Sequence, residues 1–270
     1  MIMSTRKTKR EDGVKEMKEM KDNKKEVKDP KMAPASKKNK NLIDLETIEF
    51  HIRESYKAAR TNIVYSIIKK GCKKISFTSV SKSEGKTITS VNIAIALAKQ
   101  VNTKVLIIDC DLRRPQVHNL LSIEPAPGVT NFLNGECDKE AIIKPTKVEN
   151  LFAVPCGAIP PNPSELLESS DMHDFIKNAE KEYDFIIFDT PPVGVVVDAL
   201  PIVKQTDGVV LIVKHNHTTY PGLKRIVETL SRNNAKILGI VVNGVDTLKT
   251  GKGGKLFGGY GYGYGYGYYS

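Results

Sequence analysis

The chain has 270 residues and a formal net charge of +10, with 41 Lys and Arg against 31 Asp and Glu. This length can bury a sizeable core, and no apolar run approaches the roughly 18–20 residues that cross a bilayer. The Lys-rich N-terminus lacks the apolar stretch of a secretory signal. The 4 cysteines are widely spaced, without a CxxC pair or a histidine cluster nearby, which argues against a disulfide framework or a zinc site. Composition therefore predicts a protein of the reducing cytoplasm.

The basic excess is concentrated at the N-terminus. Residues 1–40 contain 12 Lys and 2 Arg against 7 acidic residues, so they carry +7 and the rest of the chain only +3. Few large apolar residues and no aromatic residue occur there, which predicts a disordered basic segment over 1–41. Two interpretations stay open: an arm attracted to an anionic membrane surface or an acidic partner, or a solvated extension.

The rest of the chain alternates between two patterns. From Leu45 to Lys70, apolar residues recur at helical spacing and predict an amphipathic helix. Continuous apolar runs then predict strands buried on both faces of a parallel sheet. The predicted strands are Ile75–Thr78, Val105–Ile108, Leu151–Val154, Phe185–Phe188, Val209–Val213 and Ile237–Val242, and the predicted helices are Thr87–Lys99, Ser164–Lys181 and Pro221–Arg232. The alternation predicts a doubly wound, mostly parallel α/β sheet, with a core domain over 42–256.

A phosphate-binding loop follows the first predicted strand. Lys86 and Thr87 open the next helix, where Lys86 can reach the β- and γ-phosphates and the Thr87 hydroxyl can ligate Mg²⁺. Val80 departs from the pattern, which has glycine six residues before the lysine. A chance Gly-Lys-Thr at a helix start is the alternative. The residues predicted to hold the nucleotide here are Ser81, Lys82, Ser83, Glu84, Gly85, Lys86, Thr87 and Ile88.

Three carboxylates follow two other predicted strands. Asp109 and Asp111 end the second strand, which we expect beside the strand that feeds the loop, and Asp189 ends Phe185–Phe188 as in a Walker B motif. A carboxylate at the end of a buried strand needs a metal, a cation or backbone donors. Each Asp could merely cap a loop, but three beside a phosphate loop predict an Mg·ATP site, with P-loop NTPase character.

The C-terminus is a Gly–Tyr repeat after Phe257. It has no aliphatic residues with which to form a core, so we predict a flexible, exposed tail over 257–270. Its tyrosines are Tyr260, Tyr262, Tyr264, Tyr266, Tyr268 and Tyr269.

These motifs together resemble the bacterial tyrosine kinases of capsule and exopolysaccharide systems over about residues 42–270. The resemblance rests on the phosphate loop, the Asp-x-Asp-x-Arg strand end, the Asp-Thr-Pro-Pro segment from Asp189 and the terminal tyrosines. The segment from Pro160 to Leu167 also resembles the family's Pro-Asn-Pro segment. The family's Glu-x-x-Arg-x-x-Arg oligomerisation helix matches Glu54, Lys57 and Arg60, with Lys57 in place of the first arginine.

The resemblance implies an ATP-dependent, non-specific protein-tyrosine kinase that phosphorylates its tail tyrosines in trans and regulates polysaccharide synthesis and export. Lys86, Thr87 and Mg²⁺ would hold the γ-phosphate, and Asp111 and Asp189 would fix the metal. We assign to Asp109 the role of accepting or orienting the hydroxyl proton of the tyrosine, although the roles of Asp109 and Asp111 could be reversed. Arg113 would contact phosphate or phosphotyrosine, and Asn243 would contact adenine, unless it is an ordinary turn residue.

The implied partners are other copies of the chain in a ring such as an octamer, a separate transmembrane activator of the polysaccharide co-polymerase type, and a cognate tyrosine phosphatase. Lysine cannot reproduce a bidentate arginine contact, so Lys57 would weaken ring assembly. Six phosphotyrosines would add about −9 to −12 charge, enough to open the ring. We expect no nucleic-acid partner and a cytoplasmic protein recruited peripherally to the inner face of the membrane.

Two other functions are compatible with parts of the pattern. A MinD/ParA-like ATPase switch of the same superfamily shares the strand-end motifs, but it has a lysine where this chain has Ser81, and it lacks a tyrosine tail. The other is a non-catalytic scaffold that binds ATP and assembles through its tail, which purified protein incubated with ATP would distinguish by its lack of phosphotyrosine.

Overall fold

A computed structural model describes residue 42 and residues 49–245 of the chain. The predicted basic segment over 1–41, the first residues of the predicted Leu45–Lys70 helix and the Gly–Tyr tail over 257–270 lie outside the described residues, and they stay predictions.

One mixed sheet organises the described residues and confirms the predicted fold class. Its spatial order is β3-β4-β2-β5-β1-β6-β7, and every neighbouring pair is parallel except β3 with β4. All six predicted strands are present, and only the two-residue edge strand β3 had no sequence prediction. The strands are β1 (Lys73–Ser79), β2 (Val105–Asp109), β3 (Lys144–Pro145), β4 (Leu151–Val154), β5 (Phe185–Asp189), β6 (Gly208–Lys214) and β7 (Ile237–Asn243).

Helices cover both faces of this sheet. Along β2, Val105 and Ile107 belong to one apolar core, while Leu106 and Ile108 belong to a second core on the other face. The central strands are therefore buried on both sides, which explains their unbroken apolar sequence. The helices are α1 (Phe50–Tyr65), α2 (Lys86–Ala98), α3 (Val117–Leu121), α4 (Val129–Leu133), α5 (Lys139–Ile142), α6 (Pro163–Glu168), α7 (Ser170–Ala179), α8 (Leu200–Val203) and α9 (Tyr220–Arg232), with a 3-10 turn at Val197–Ala199 before α8.

The strand order corrects one expectation. β5, and not β2, lies beside β1 on the side of the carboxylates, because β5 inserts between them. Asp189 is in register with Phe77 of β1 on one side and with Asp109 of β2 on the other. Asp189 is thus the strand-end carboxylate nearest the strand that feeds the phosphate loop.

Two helices differ from the sequence prediction. α1 ends at Tyr65, whereas the predicted helix runs to Lys70. The predicted helix Ser164–Lys181 is two helices, α6 and α7, because Ser169 adopts an extended conformation and its hydroxyl accepts a hydrogen bond from the Met172 N–H at 3.2 Å. This side-chain cap competes with a continuous helix. Within residues 49–245, none of the helices combines the length and apolarity needed to cross a membrane.

Candidate active site

The phosphate loop connects β1 to α2 in a conformation that needs its one glycine. Gly85 has a φ of +85°, and a Cβ there would lie 2.6 Å from Nδ2 of Asn243. Val80, at the position where the sequence pattern expects glycine, is buried in a core with residues of α8, β6 and α9. The loop therefore uses Val80 as an apolar anchor and reserves backbone freedom for Gly85.

Buried polar contacts hold this loop to the neighbouring strands. The carboxylate of Glu84 accepts the N–H of Ser81 at 2.8 Å and the hydroxyl of Thr218. The amide of Asn243 donates to the Glu84 carbonyl at 2.9 Å and to the Thr89 hydroxyl at 3.0 Å. Asn243 at the end of β7 thus braces the loop from behind, and the predicted adenine contact stays a prediction.

Lys86 lies between two strand-end carboxylates. Its Nζ is 2.8 Å from Oδ2 of Asp189 and 3.6 Å from Oδ2 of Asp111. Thr87 and Ser90 also donate to Asp189, at 2.7 and 3.0 Å. Burial alone would lower the pKa of Lys86, but Asp189 and Asp111 raise it above its usual value. The lysine is therefore a fixed cation at the N-terminus of α2.

Asp109 is fully buried and faces the backbone. Its Oδ2 accepts the N–H groups of Gln116 and Val117 at 2.9 and 3.0 Å, and its Oδ1 accepts that of Asp111 at 3.2 Å. Burial and the charge of Asp189 raise the pKa of Asp109 to about 7, against the opposing effect of the Val117 N–H. Asp109 thus organises the turn that carries Asp111, whereas the side chain of Asp111 reaches the cleft.

Arg113 is held from a distant part of the chain. Its Nε donates to Oδ2 of the buried Asp198, and its Nη2 lies 3.3 Å from Oδ1. The hydroxyl of Ser164, in the Pro-Asn-Pro segment, donates to the same Oδ1 at 2.5 Å. These donors hold the pKa of Asp198 below its usual value, although burial alone would raise it. The sequence alone predicts no function for Ser164 or Asp198, because the residues that meet here are far apart in the chain. Arg113 is 85 residues from Asp198, and Ser164 is 34 residues from it.

A cleft of about 570 Å³ opens over these groups. Asp109, Asp189 and Asn243 are outside its lining and support it from below. Lining residues without a sequence prediction include Arg114, Gln116, Leu120, Val195 and Val196, whereas Pro191 and Pro192, which also line the cleft, belong to the Asp-Thr-Pro-Pro motif. The predicted residues that line the cleft are Ser81, Lys82, Ser83, Glu84, Gly85, Lys86, Thr87, Ile88, Asp111 and Arg113.

The donor set fits Mg²⁺ shared with phosphate. Within residues 49–245, no group of three His, Cys, Asp or Glu side chains could hold a metal. Thr87, Asp111 and Asp189 provide a hydroxyl and two carboxylates, and Mg²⁺ commonly takes one or two carboxylates together with waters and substrate phosphates. Lys86 now neutralises the same two carboxylates, so this corner already accommodates a cation.

The predicted oligomerisation residues lie on α1, away from the cleft lining. Lys57 pairs with Glu54 on the same helix at 2.7 Å, and both side chains are about half exposed. Arg60 donates to the Ala96 carbonyl at the C-terminal end of α2 at 3.1 Å. The six predicted phosphorylation sites, from Tyr260 to Tyr269, lie outside the described residues.

Comparisons with known proteins identify relatives of the chain. A protein family described as "AAA domain" matches residues 72–238. Tyrosine-protein kinase YwqD of Bacillus subtilis is 34% identical over 77% of this chain and 88% of that protein. Tyrosine-protein kinase CpsD of Streptococcus pneumoniae is 38% identical over 72% of this chain and 84% of that protein. Tyrosine-protein kinase wzc of Salmonella typhi is 30% identical over 73% of this chain, but the match covers only 27% of that protein.

Solved structures resemble this chain to different degrees for the two enzymatic functions that the motifs allow, tyrosine kinase and ATPase switch. The kinase domain of Escherichia coli tyrosine kinase ETK aligns with a TM-score of 0.69 at 28% identity, covering 78% of this chain and 80% of that chain. The cell-division ATPase MinD of Pyrococcus furiosus aligns with a TM-score of 0.54 at 25% identity, covering 63% and 71%. The similarity to tyrosine kinases is the stronger, so the ATPase switch is not favoured.

Proposed function

The chain belongs to the bacterial tyrosine-protein kinases, and we propose that it transfers the γ-phosphoryl group of Mg·ATP to tyrosines of its own C-terminal tail. The observation that carries this proposal is the position of Lys86, a buried cation between Asp189 and Asp111 at the N-terminus of α2. A helix N-terminus, a lysine and two carboxylates are the parts that phosphoryl transfer requires, since it depends on positioning and charge neutralisation.

ATP would bind over the phosphate loop. The N–H groups at the start of α2 would bind the phosphates, and the Lys86 ammonium would turn from Asp189 towards the β- and γ-oxygens. Thr87 and Asp189 would hold Mg²⁺, which when bound would neutralise charge on the phosphates, and this leaves the Asp111 carboxylate for the acceptor. While Lys86 moves, the Ser90 hydroxyl would hold the Asp189 carboxylate in place, and the Ser81 N–H would hold that of Glu84.

Asp111 is our proposed acceptor of the tyrosine proton, which is the reverse of the first assignment to Asp109. Both oxygens of Asp109 already accept backbone N–H groups, and its side chain is fully buried. Asp111 lines the cleft, where an incoming phenol can reach it. The phenol oxygen would bond to the γ-phosphorus, the bond to the β–γ bridging oxygen would break, and ADP would leave as the proton passes to the carboxylate.

The tail of one copy would enter the cleft of the next in a ring. Support comes from the six tyrosines, spaced mostly by glycine, in a segment whose sequence has no aliphatic residues with which to form a core. Glu54, Lys57 and Arg60 on α1 are the proposed ring contacts, with Lys57 weakening them. Phosphorylated tails repel acidic sites, and a cognate tyrosine phosphatase would restore the ring.

We also propose a role at the membrane in capsule or exopolysaccharide synthesis. The proposal includes a separate transmembrane activator of the polysaccharide co-polymerase type, as the resemblance to the kinases of capsule systems implies. The +7 segment at residues 1–40 favours peripheral binding to anionic lipid on the cytoplasmic side. Sedimentation with phosphatidylcholine vesicles, with and without phosphatidylserine, tests this. Binding that needs phosphatidylserine and is lost on deletion of residues 1–41 supports it; equal binding of both chains contradicts it.

Phosphotyrosine formation on the purified full chain with Mg·ATP tests the kinase proposal. We expect signal from the wild type and from Lys177→Met, a charge loss on the exposed surface of α7, but not from Lys86→Met or from a variant with all six tail tyrosines changed to Phe. The thermal unfolding of each variant reports whether it is folded. Hydrolysis of ATP without phosphotyrosine would favour the ATPase switch instead.

Mixing the two inactive variants tests transfer between copies. Lys86→Met keeps the tail and the six-Phe variant keeps the cleft, so phosphotyrosine in the mixture must come from transfer in trans. A mixture without signal, while the wild type is active, would restrict the reaction to one chain.

A further inference from the structure

Arg113 occupies a position that differs from that of the phosphate-loop cations. It follows β2, which lies two strands away from β1, with β5 between them. Neighbouring strands are about 4.8 Å apart, so Arg113 is anchored about 10 Å from the strand that feeds the phosphate loop. Its side chain lines the cleft and is 52% exposed. It therefore faces the part of the cleft beyond the loop, where an acceptor must approach.

An exposed arginine in such a position would normally be mobile. Its long side chain loses about 2 kcal/mol of rotamer entropy when it is fixed. Here the buried carboxylate of Asp198 takes Nε and one N–H of Nη2, the side-on geometry that fixes a guanidinium plane. The three remaining N–H groups, two on Nη1 and one on Nη2, stay available to the cleft.

Asp198 is itself fixed by a third segment. Ser164 at the start of α6 donates to its Oδ1, so the 3-10 turn, α6 and the turn after β2 meet at one carboxylate. Ser164 also removes the freedom of that oxygen to turn away from Nη2. The Pro-Asn-Pro segment and the turn after Asp189 thus act on the cleft through Arg113.

We propose that Asp198, fixed by Ser164, is a positioning residue that orients Arg113 towards the acceptor tyrosine, so that the guanidinium meets the phosphoryl group as it arrives on the phenol oxygen. The inference rests on the proposed kinase activity and adds to it a residue that lies outside the cleft lining. It separates acceptor recognition, which depends on Asp198, from nucleotide binding, which depends on the phosphate loop.

Kinetics with a separate acceptor test the proposal. The enzyme is the full chain with its six tail tyrosines changed to Phe, and the acceptor is a peptide of residues 257–270. We expect Asp198→Asn to lower kcat/KM for the peptide by about tenfold to a hundredfold, the usual loss for a charge-assisted hydrogen bond, while KM for ATP stays unchanged. Ser164→Ala should give a smaller loss of the same kind, and Asp174→Asn, an exposed acid on α7, none.

A double-mutant cycle separates positioning from general structural damage. Once Arg113→Ala is present, adding Asp198→Asn should cost no further activity, because its target is gone. Arg114, the neighbouring cleft arginine, is the control: Arg114→Ala and Asp198→Asn should be additive. The inference is overturned if the effects of Asp198→Asn and Arg113→Ala on kcat/KM for the peptide are additive. It is also overturned if Asp198→Asn raises KM for ATP by as large a factor as it lowers kcat/KM for the peptide.

The two proposals fail in different ways. If the parent enzyme, with only its tail tyrosines changed to Phe, does not phosphorylate the peptide, the kinase proposal fails and this inference fails with it. If the parent enzyme phosphorylates the peptide, and Asp198→Asn and Ser164→Ala have the same kcat/KM for the peptide as the parent, only the inference is wrong. Should Asp198→Asn prove unfolded in thermal unfolding, Ser164→Ala in the same cycle with Arg113→Ala decides the question.

Discussion

Asn243, at the end of the edge strand β7, lies so close to Gly85 that a Cβ on Gly85 would be 2.6 Å from its Nδ2. The same amide donates to the carbonyl of Glu84, one residue before. The last strand of the sheet therefore fixes the phosphate loop from behind, and the glycine is required for two reasons: its left-handed backbone and the lack of space for a side chain.

The first prediction separates these two reasons with a matched pair. Gly71 also has a positive φ, of +75°, but open space around it. Gly71→Ala should lower the free energy of unfolding by about 1–2 kcal/mol, the cost of a left-handed alanine. Gly85→Ala should lose more and should also weaken ATP binding, measured by calorimetry, because the loop must move off Asn243. Equal losses at the two positions would mean that the contact with Asn243 does not constrain the loop.

The second prediction concerns the two carboxylates at the C-terminal end of β2, Asp109 and Asp111. Asp109→Asn places an amide NH₂ or a weaker acceptor against three backbone N–H groups, so it should lower the free energy of unfolding by about 1–3 kcal/mol. Asp111→Asn should lower it less, because Asp111 accepts one backbone N–H, that of Arg114, where Asp109 accepts three. It should reduce phosphotyrosine formation about 100-fold or more, as expected for loss of a proton acceptor. Urea unfolding and a phosphotyrosine assay on both variants check this, and the opposite pattern would return the acceptor role to Asp109.

The strand-end carboxylates could be predicted from the sequence because apolar runs fix the strands, and parallel strands end at the same edge. The order of the strands could not, since all the runs are similarly apolar and nothing in them specifies that β5 inserts between β2 and β1. Contacts between segments that are distant in the chain could not be predicted from the sequence either. Ser164 and Arg113 meet only through Asp198, and neither has a spacing in the chain that indicates the other.

The third prediction follows from the lowered pKa of Asp198. A carboxyl group whose pKa is lower in the folded chain stabilises the fold above its unfolded pKa of about 3.9, and this contribution is lost as the pH falls through the folded value. Asp198→Asn should therefore be less stable than the wild type at neutral pH, and the difference should shrink below about pH 4. Urea unfolding across this range measures it. A difference that is constant with pH would mean that the ionised carboxylate does not stabilise the fold, whereas Asp174→Asn should show little difference at any pH.

The fourth prediction concerns the free thiols. Burial raises the pKa of Cys72 and of Cys156 to about 12, and that of Cys110, between the two carboxylates, well above its usual value. Cys137 is partly exposed. Iodoacetamide at about pH 8, near the ordinary thiol pKa of about 8.5, should therefore label Cys137 first in the folded chain and all four cysteines in urea. Peptide mass spectrometry identifies the labelled position, and Cys137→Ser should abolish the fast phase. Early labelling of Cys110 would instead mean that the turn carrying Asp109 and Asp111 opens readily, so that burial does not protect the floor of the cleft.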